Sequence, residues 1–538
     1  MNNKITLLIL FFTISFFTCK GQVWKTYPYS PAGSLISFPA DEGRHTVESI
    51  EWWYTTGHVT GATTGTNYSY ILSYFYYPYL GFQGFRIFNI TNDDTGHKVF
   101  VTQPVNYSNL TNNKINIEAS SFLLPKTEYW RNKKENNGTI IPFEYEIFAA
   151  SATTEIDLEY STVKRPLILG DDGKFDLGAS SFTYYYSQTK NDITGSITFD
   201  GITENITGTG WIDRQYGSFN PLENEEYEWF SIQLSNGMDI NLWNLFTEEN
   251  KIPDNEKFKI LSAYVDENSQ YTSDNFNIER LEFDCTSDGL RCYAQKWRLT
   301  SSTNDIDLVI TALHTDSEVQ LPFRFYEGAI SIEGTVDGIA VTGQGFAELL
   351  HSYEDPDLIL TNPVDGTFDS SENISWDIAN PDDGNPLKYD IEYSIDNKQT
   401  FQTIVEGINE TSYLWENPTI SSGENIWFKI SAYSIDKTLT NTIVSSSSSS
   451  FTLPVESFVN ESIRIYPNPV TDNIVIRLME DIPNLKYQIT DLNGRVLIQK
   501  TAINSTILNI NVKNLTPGLY FLKLINDNKT LQSKIIVK

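Results

Sequence analysis

The feature that most constrains this chain is residues 24–354, where strand-like alternation recurs and no long segment has helical periodicity. Apolar and polar residues alternate in Tyr68–Tyr76 and in Asp305–Ile310, and Gly, Asn and Asp turns separate such runs. Successive side chains of a strand point to opposite faces, so this pattern predicts half-buried strands. So much antiparallel strand exceeds what one barrel of about eight strands needs. The sequence predicts an all-β fold with two barrels or sandwiches here.

A short repeated motif, here called the echo, supports two structural units in this region. Glu51–Tyr54 reads EWWY and Glu228–Ser231 reads EWFS, and alternating strand sequence follows each. The alternative is two unrelated strand starts. We place the first barrel at residues 23–190 and the second at 191–354. Trp52 and Trp53 are adjacent in a predicted strand, so at least one of them points into a core.

The pattern of predicted strands changes after Asp355. Residues 355–454 carry Trp376 on an early predicted strand and an alternating late strand at Ile426–Tyr433. This pattern over about a hundred residues predicts a small sandwich. It resembles a fibronectin type III module.

The first 21 residues predict a signal peptide. Lys4 precedes an apolar run from Ile5 to Phe17, and the small residues Cys19 and Gly21 follow at alternate positions. The run is too short to span a bilayer, and we expect cleavage after Gly21. No other segment resembles a membrane span, so we predict none in the mature protein.

Charge and composition exclude several classes of ligand. The net charge is -31, which repels phosphate backbones, so a nucleic-acid partner is not expected. The five histidines are scattered along the chain, and no sequence motif for phosphate or zinc binding occurs. We therefore predict no metal and no cofactor.

Two cysteines remain beyond the leader, Cys285 and Cys292, with an Asp288-Gly289 turn signal between them. A hairpin of this length can bring both sulfurs within bonding range, and an exported protein meets an oxidising compartment. The alternatives are two free thiols or half of a metal site.

The stretch Gly210–Ser218 combines an acid, a guanidinium and an amide with two large aromatic residues. Asp213 stands between the large aromatics Trp211 and Tyr216. Aromatic surroundings exclude water, which raises the pKa of a carboxylic acid and lets it deliver a proton near neutral pH. The structural alternative is a strand end at which Asp213 pairs with Arg214 or caps a turn.

Four motifs in order resemble the family of carotenoid 1,2-hydratases (CrtC) and AttH-like secreted hydrolases. They are Glu51–His58, Gly210–Ser218, Glu228–Leu234, and Tyr326–Ala329 followed by Gly343–Leu349. The resemblance implies two lipocalin-like antiparallel β-barrels with a binding cleft near their junction. Three positions depart from the family pattern: Arg214 replaces a frequent His, Tyr216 a frequent Trp, and His351-Ser352-Tyr353 the usual T-G-Y.

The resemblance also implies site residues. Asp213 is the candidate acid, and His58 or Glu51 would orient water. Predicted ligand-binding residues are Trp52, Trp53, Tyr54, Trp211, Arg214, Gln215, Tyr216, Glu228 and Trp229. The alternatives are a structural His58 bonded to a carbonyl, and buried acids at Glu51, Glu228, Glu327 and Glu348 that tie strands together or pair with Arg.

Residues 462–538 form a second small β unit with Asn-Gly and Pro-Gly turns. This unit closely resembles the C-terminal sorting domain of type IX secretion cargo. The resemblance implies a Gram-negative bacterium, a partner in the type IX machinery, and a secreted or cell-surface location.

We expect a cofactor-independent hydratase or hydrolase acting on a hydrophobic, isoprenoid-like or carotenoid-like small molecule. The alternative is a non-catalytic lipocalin-like binding protein displayed at the cell surface. A polysaccharide-degrading enzyme is a third possibility, without a clear paired-carboxylate motif to support it.

Overall fold

A computed structural model describes residues 22–219, 226–320, 324–364, 366–416, 418–445, 449–452, 456–457, 463–479, 482, 484–501, 506–526 and 529–538. The predicted signal peptide lies outside these residues. The described chain is all-β, as the sequence predicts, and its two short 3-10 helices are Ala40–Glu42 and Thr303–Asp305. No helix in these ranges has the length and apolar character of a membrane span.

The first half of the chain forms a closed barrel of ten antiparallel strands, in the order β11-β12-β1-β2-β3-β4-β5-β6-β7-β8 and back to β11. The barrel strands are β1 Ile50–Gly61, β2 Asn67–Tyr79, β3 Phe82–Asn92, β4 Lys98–Ser108, β5 Asn116–Ser120, β6 Glu128–Lys134, β7 Ile140–Ala150, β8 Glu155–Thr162, β11 Ser181–Phe199 and β12 Ile202–Gly217. Two short strands, β9 Leu167–Ile168 and β10 Lys174–Leu177, pair with the start of β11. Buried aromatic and aliphatic side chains, Trp53 and Trp130 among them, fill the interior.

Strand β11 closes the barrel because its two halves have different partners. Its register with β12 shifts between Gln188 and Asn191, and the second half pairs with β8. Strand β12 then pairs with β1 along its length. The expected division between residues 190 and 191 therefore falls inside β11, and the barrel extends to Gly217.

The second sheet is a half-barrel: among the described strands, the edge strands β16 and β17 do not pair with each other. The predicted two-barrel, all-β architecture is confirmed, with the second barrel open on one side. Its order is β16-β15-β14-β13-β22-β21-β19-β18-β17, with β20 on β21. The strands are β13 Tyr227–Leu234, β14 Asp239–Leu245, β15 Lys259–Asp266, β16 Ser269–Ser273, β17 Asn277–Cys285, β18 Cys292–Ser301, β19 Ile306–Ala312, β20 Glu318–Gln320, β21 Arg324–Val336 and β22 Ile339–Leu349.

Cys285 and Cys292 end and begin the neighbouring strands β17 and β18, directly opposite each other, and are disulfide-bonded. Of the three states that the sequence left open, the structure has the disulfide.

The next unit is a sandwich of two sheets around Trp376. One sheet has the order β23-β25-β28, and the other β24-β31-β29-β26-β27 with β30 on β29. The strands are β23 Leu358–Asn362, β24 Gly366–Asp369, β25 Asn373–Ile378, β26 Leu387–Ser394, β27 Gln402–Ile408, β28 Ser412–Leu414, β29 Asn425–Ser434, β30 Thr440–Val444 and β31 Ser449–Thr452. A fibronectin type III relationship stays a prediction.

The C-terminal unit is likewise built of two sheets, β32-β39-β38-β35-β36 and β33-β34-β37. Its strands are β32 Glu456–Ser457, β33 Ile463–Tyr466, β34 Asn473–Leu478, β35 Lys486–Thr490, β36 Val496–Thr501, β37 Ile507–Asn511, β38 Gly518–Asn526 and β39 Lys529–Val537.

The sandwich of β23–β31 docks on the half-barrel. Leu439 of the sandwich packs in the half-barrel core, and the backbone N–H of Arg280 donates to the Gly384 carbonyl at 3.0 Å. His351 lies between two carboxylates, with Nδ1 2.6 Å from Glu226 and Nε2 2.6 Å from Asp382 of the sandwich. Burial lowers the pKa of His351, but Asp382 and Glu226 outweigh burial and raise it to about 9. The residue that departs from the family pattern at 351 therefore ties the two units together as an imidazolium.

We expect His351→Gln to remove about 3 kcal/mol of stability at pH 6, an effect that fades as the pH rises to 9. The folded-state pKa is raised above 6.5, so the histidine stabilises fully below pH 6.5 and ceases to do so above about 9. Chemical denaturation of both proteins across this range measures the difference. Parallel stability curves between pH 6.5 and 9 would contradict the role of the imidazolium.

Candidate active site between the barrel and the half-barrel

The site lies where the outer face of the barrel packs against the half-barrel. Strand alternation explains its composition. Trp52 and Tyr54 of β1 point outward and join the apolar cluster between the two units, whereas Trp53 points into the barrel. On β13, Trp229 faces the same cluster and Phe230 packs in the half-barrel core. The two echoed motifs thus present equivalent tryptophans to each other across the junction.

Asp213 is buried at this junction, with 2% of its surface exposed. Its Oδ1 accepts hydrogen bonds from the Ser187 hydroxyl at 2.6 Å and the Trp211 indole N–H at 2.7 Å, and its Oδ2 accepts one from the Tyr185 hydroxyl at 2.6 Å. Burial raises the pKa of Asp213 to about 7, although these three donors oppose the rise. The carboxyl therefore holds a proton in a large fraction of molecules at neutral pH.

A second layer of hydrogen bonds orients these donors. The Asn241 amide of β14 donates to the Tyr185 hydroxyl at 3.2 Å and to the Ser187 hydroxyl at 3.1 Å. The Trp229 indole donates in turn to Oδ1 of Asn241 at 3.2 Å. Because both hydroxyls accept from Asn241, their own protons point at Asp213. Asn241 and Trp229 of the half-barrel thus fix the direction of the hydrogen bonds that end at Asp213 of the barrel.

Two further carboxyls face the junction from the half-barrel. Glu327 of β21 and Glu348 of β22 are cross-strand partners; Glu327 is buried and Glu348 is half-buried. Burial and the charge of Glu348 raise the pKa of Glu327 well above its ordinary value. Burial raises the pKa of Glu348 to about 7, opposed by a hydrogen bond from Tyr227 and aided by the charge of Asp213. Within the described chain none of the three acids has a salt-bridge partner.

A small cavity of about 20 Å³ opens between these groups. It is lined by seven aromatic residues and two acids: Trp52, Tyr54, Phe75, Tyr185, Tyr227, Trp229, Trp243, Asp213 and Glu348. This volume holds one or two water molecules, whereas pockets for organic ligands measure about 300–1,000 Å³. Binding of an organic molecule therefore requires the lining rings to move apart.

His58 has the structural role that the sequence left open. Its Nε2 lies 3.2 Å from the Gly345 carbonyl of β22, and its ring packs on Phe346 at 4.9 Å. Burial lowers the pKa of His58 to about 4, so the ring is neutral. It is absent from the lining of the Asp213 cavity, four residues along β1 from Tyr54.

Glu51 and Arg214 lie on the opposite face of the sheet from Asp213. Burial alone would raise the pKa of Glu51, but Arg214, His45 and Arg44 together lower it to about 2. The Arg214 guanidinium bonds to Glu51 and stacks 4.1 Å from the Trp53 ring. These residues form a buried ion pair in the barrel and do not reach the cavity, because neighbouring residues of a strand face opposite ways.

The remaining predicted residues divide in the same way. Tyr216 stacks on His45 at 3.4 Å at the end of the barrel, and Glu228 pairs with Arg280 inside the half-barrel. Gln215 is buried opposite Trp52 and does not line the cavity. Trp52, Tyr54, Trp211 and Trp229 either line the cavity or bond to Asp213.

Sequence reasoning missed eight contributors: Phe75, Tyr185, Ser187, Tyr227, Asn241, Trp243, Glu327 and Glu348. The two glutamates stand in motifs that the sequence highlights, where they were interpreted as strand-tying acids. Their direct opposition in β21 and β22 is the signal that reveals them, and it depends on the strand register. In the described chain, no group of three His, Cys, Asp or Glu side chains is arranged to hold a metal ion.

The fold and junction define a two-unit β protein whose residues 29–353 match the family model described as AttH-like, and the chain belongs to this family. Residues 464–538 match the secretion system C-terminal sorting domain, which marks a secreted or cell-surface protein.

Individual relatives are more distant. The chain is 23% identical over 319 residues to kievitone hydratase of Fusarium solani subsp. phaseoli, covering 56% of this chain and 82% of that protein. It is 37% identical over 89 residues to ulvan lyase NLR42 of Nonlabens ulvanivorans, which is 16% of either protein. Among solved structures, an AttH of Nitrosomonas europaea matches 60% of this chain and 98% of its own at 19% identity and a TM-score of 0.49.

Proposed function

We propose that the junction is the active site of an exported, cofactor-independent hydratase that adds water across an alkene of an apolar small molecule. The observation that carries this proposal is Asp213, a buried carboxyl with a pKa near 7 on the wall of an aromatic cavity. The relative whose name is kievitone hydratase supports the class of reaction.

Asp213 is suited to donate the proton. Its Oδ1 already accepts two hydrogen bonds and its Oδ2 only one, so Oδ2 retains a lone pair that can carry the proton. Transfer of this proton to one alkene carbon leaves a carbocation at the other. The resulting carboxylate keeps its three donors, which stabilise its new charge.

Aromatic faces and a second acid complete the reaction. The rings of Trp52 and Trp229 line the cavity and stabilise a cation through their quadrupoles. Water then adds to the cation and passes a proton to Glu348, whose pKa near 7 leaves it partly ionised at neutral pH. Return of that proton to Asp213 through solvent restores the starting state.

The test is to incubate the full chain with terpenoid alkenes in normal and deuterated water and to weigh the products. We expect a gain of one water with one carbon-bound deuterium, and a rate that falls as the pH rises above about 7, because the acid then loses its proton. Tight binding of a ligand whose mass does not change would instead identify a non-catalytic binding protein.

A further inference from the structure

Two buried polar groups on the cavity wall lack hydrogen-bond partners among the described residues. They are the Trp243 indole N–H and the Tyr54 hydroxyl. The exposed fraction is 4% for each side chain. The neighbouring tryptophans differ: Trp211 donates to Asp213 and Trp229 donates to Asn241.

Aromatic packing holds both groups in place without using their polar atoms. The Trp243 ring contacts Tyr227 at 4.9 Å and Tyr185 at 6.0 Å, and the Tyr54 ring meets Trp229 edge-on at 5.4 Å. Burial, and then the charges of Glu327 and Glu348, raise the pKa of Tyr54, but among the described residues its hydroxyl forms no hydrogen bond. The hydroxyl is therefore positioned and still available.

The missing partner has a definite chemistry. An indole N–H only donates, so its partner must carry an acceptor. Leaving a buried donor unpaired costs about 1–3 kcal/mol, which a hydrocarbon ligand cannot offset. An anionic ligand is disfavoured because Asp213, Glu327 and Glu348 surround the junction with acids. A neutral oxygen accepts the indole N–H, offsets the cost of the unpaired donor and carries no negative charge.

We propose that the cavity recognises an isoprenoid bearing a neutral oxygen, such as a hydroxyl or carbonyl, and that Trp243 and Tyr54 bind this oxygen. Conversion of such a ligand rests on the proposed function, but recognition of its oxygen can be measured by binding alone, without turnover. It narrows the expected hydrophobic, isoprenoid-like or carotenoid-like molecule to one that bears a neutral oxygen.

The test uses the full chain with linalool and myrcene, two terpenoids that share a vinyl group and a trisubstituted alkene. Linalool carries a hydroxyl at the carbon where myrcene carries a methylene group. Binding is followed by tryptophan fluorescence and turnover by product mass. We expect linalool to bind at least about tenfold more tightly than myrcene. Trp243→Phe keeps an aromatic ring and removes the N–H, so it should remove most of this preference.

Trp297→Phe is the matched control. Trp297 is fully buried in the half-barrel core with an equally unpaired indole N–H, away from the cavity. We expect this variant to keep the preference for linalool. Equal affinity for the two terpenoids, no binding of linalool, or an unchanged preference in Trp243→Phe would overturn the proposal. Preferential binding of linalool without conversion would uphold it and count against the hydratase function alone.

Discussion

Asp213→Asn is expected to lower the hydration rate by about 10²–10⁴-fold, because the amide cannot deliver a proton to the alkene. The fold should persist. The Asn oxygen can accept from Ser187 and Trp211, and its amide can donate to the Tyr185 hydroxyl, which faces Oδ2 at 2.6 Å in the native protein. Product formation from a converted terpenoid measures the loss.

The same variant should become more stable relative to the native protein as the pH rises. Burial raises the pKa of Asp213 from 3.8 to about 7, so its contribution to stability is fully present below pH 3.8 and falls as the pH rises to 7. Asn does not titrate. We expect a relative gain of about 4 kcal/mol between pH 4 and pH 8 in denaturant unfolding.

Glu42→Gln is the matched control for the hydration rate and for the pH dependence of stability. Glu42 is buried in the barrel and accepts bonds from Tyr27, Tyr145 and Asn132, and its pKa is raised to about 6 by burial. It does not line the junction cavity. This variant should alter the pH dependence of stability and leave the hydration rate unchanged. Full activity of Asp213→Asn would remove the acid from the mechanism.

Arg280→Met is expected to destabilise the protein by about 3–5 kcal/mol. The guanidinium and Glu228 form a buried ion pair in the half-barrel, and the Tyr353 hydroxyl is the other donor to Glu228, at 3.1 Å. Without the arginine, a buried carboxylate loses its compensating charge. The free energy of unfolding in denaturant measures the change.

Two further variants test whether the uncompensated charge of Glu228 causes this loss of stability. Arg298→Met breaks the Arg298–Asp307 pair, in which both side chains are about half exposed, and should cost at most about 1 kcal/mol. Adding Glu228→Gln to Arg280→Met removes the uncompensated charge and should recover much of the stability. An equal loss in Arg298→Met, or no recovery in the double variant, would contradict this explanation.

Much of the architecture could be predicted because it depends on local patterns. Alternation with turn residues identified the strands, and the EWWY and EWFS echo identified two related units. The same alternation gave the division of Trp52 from Trp53. The end of the barrel was placed too early, since a strand that changes partners midway, as β11 does between Gln188 and Asn191, leaves no mark in the pattern.

The candidate site was only partly predictable. Asp213 was identified because it stands between Trp211 and Tyr216, where aromatic surroundings raise the pKa of a carboxylic acid. Glu51 and Arg214 were grouped with it because they are neighbours in the motifs, yet strand alternation places them on the other face. Tyr185, Ser187 and Asn241 could not be found, since they meet Asp213 only through pairing of β11 with β12 and packing against β14.

By itself, the sequence determined the all-β class, the order of the units, the sorting domain and the candidate acid between Trp211 and Tyr216, because each is expressed in neighbouring residues. Tertiary structure alone decided that the second sheet stays open and that the sandwich docks on it through His351. It also decided that three acids and seven aromatic side chains meet at one junction. Those outcomes depend on strand register and on which faces pack together, and contacts between residues distant in the chain set both.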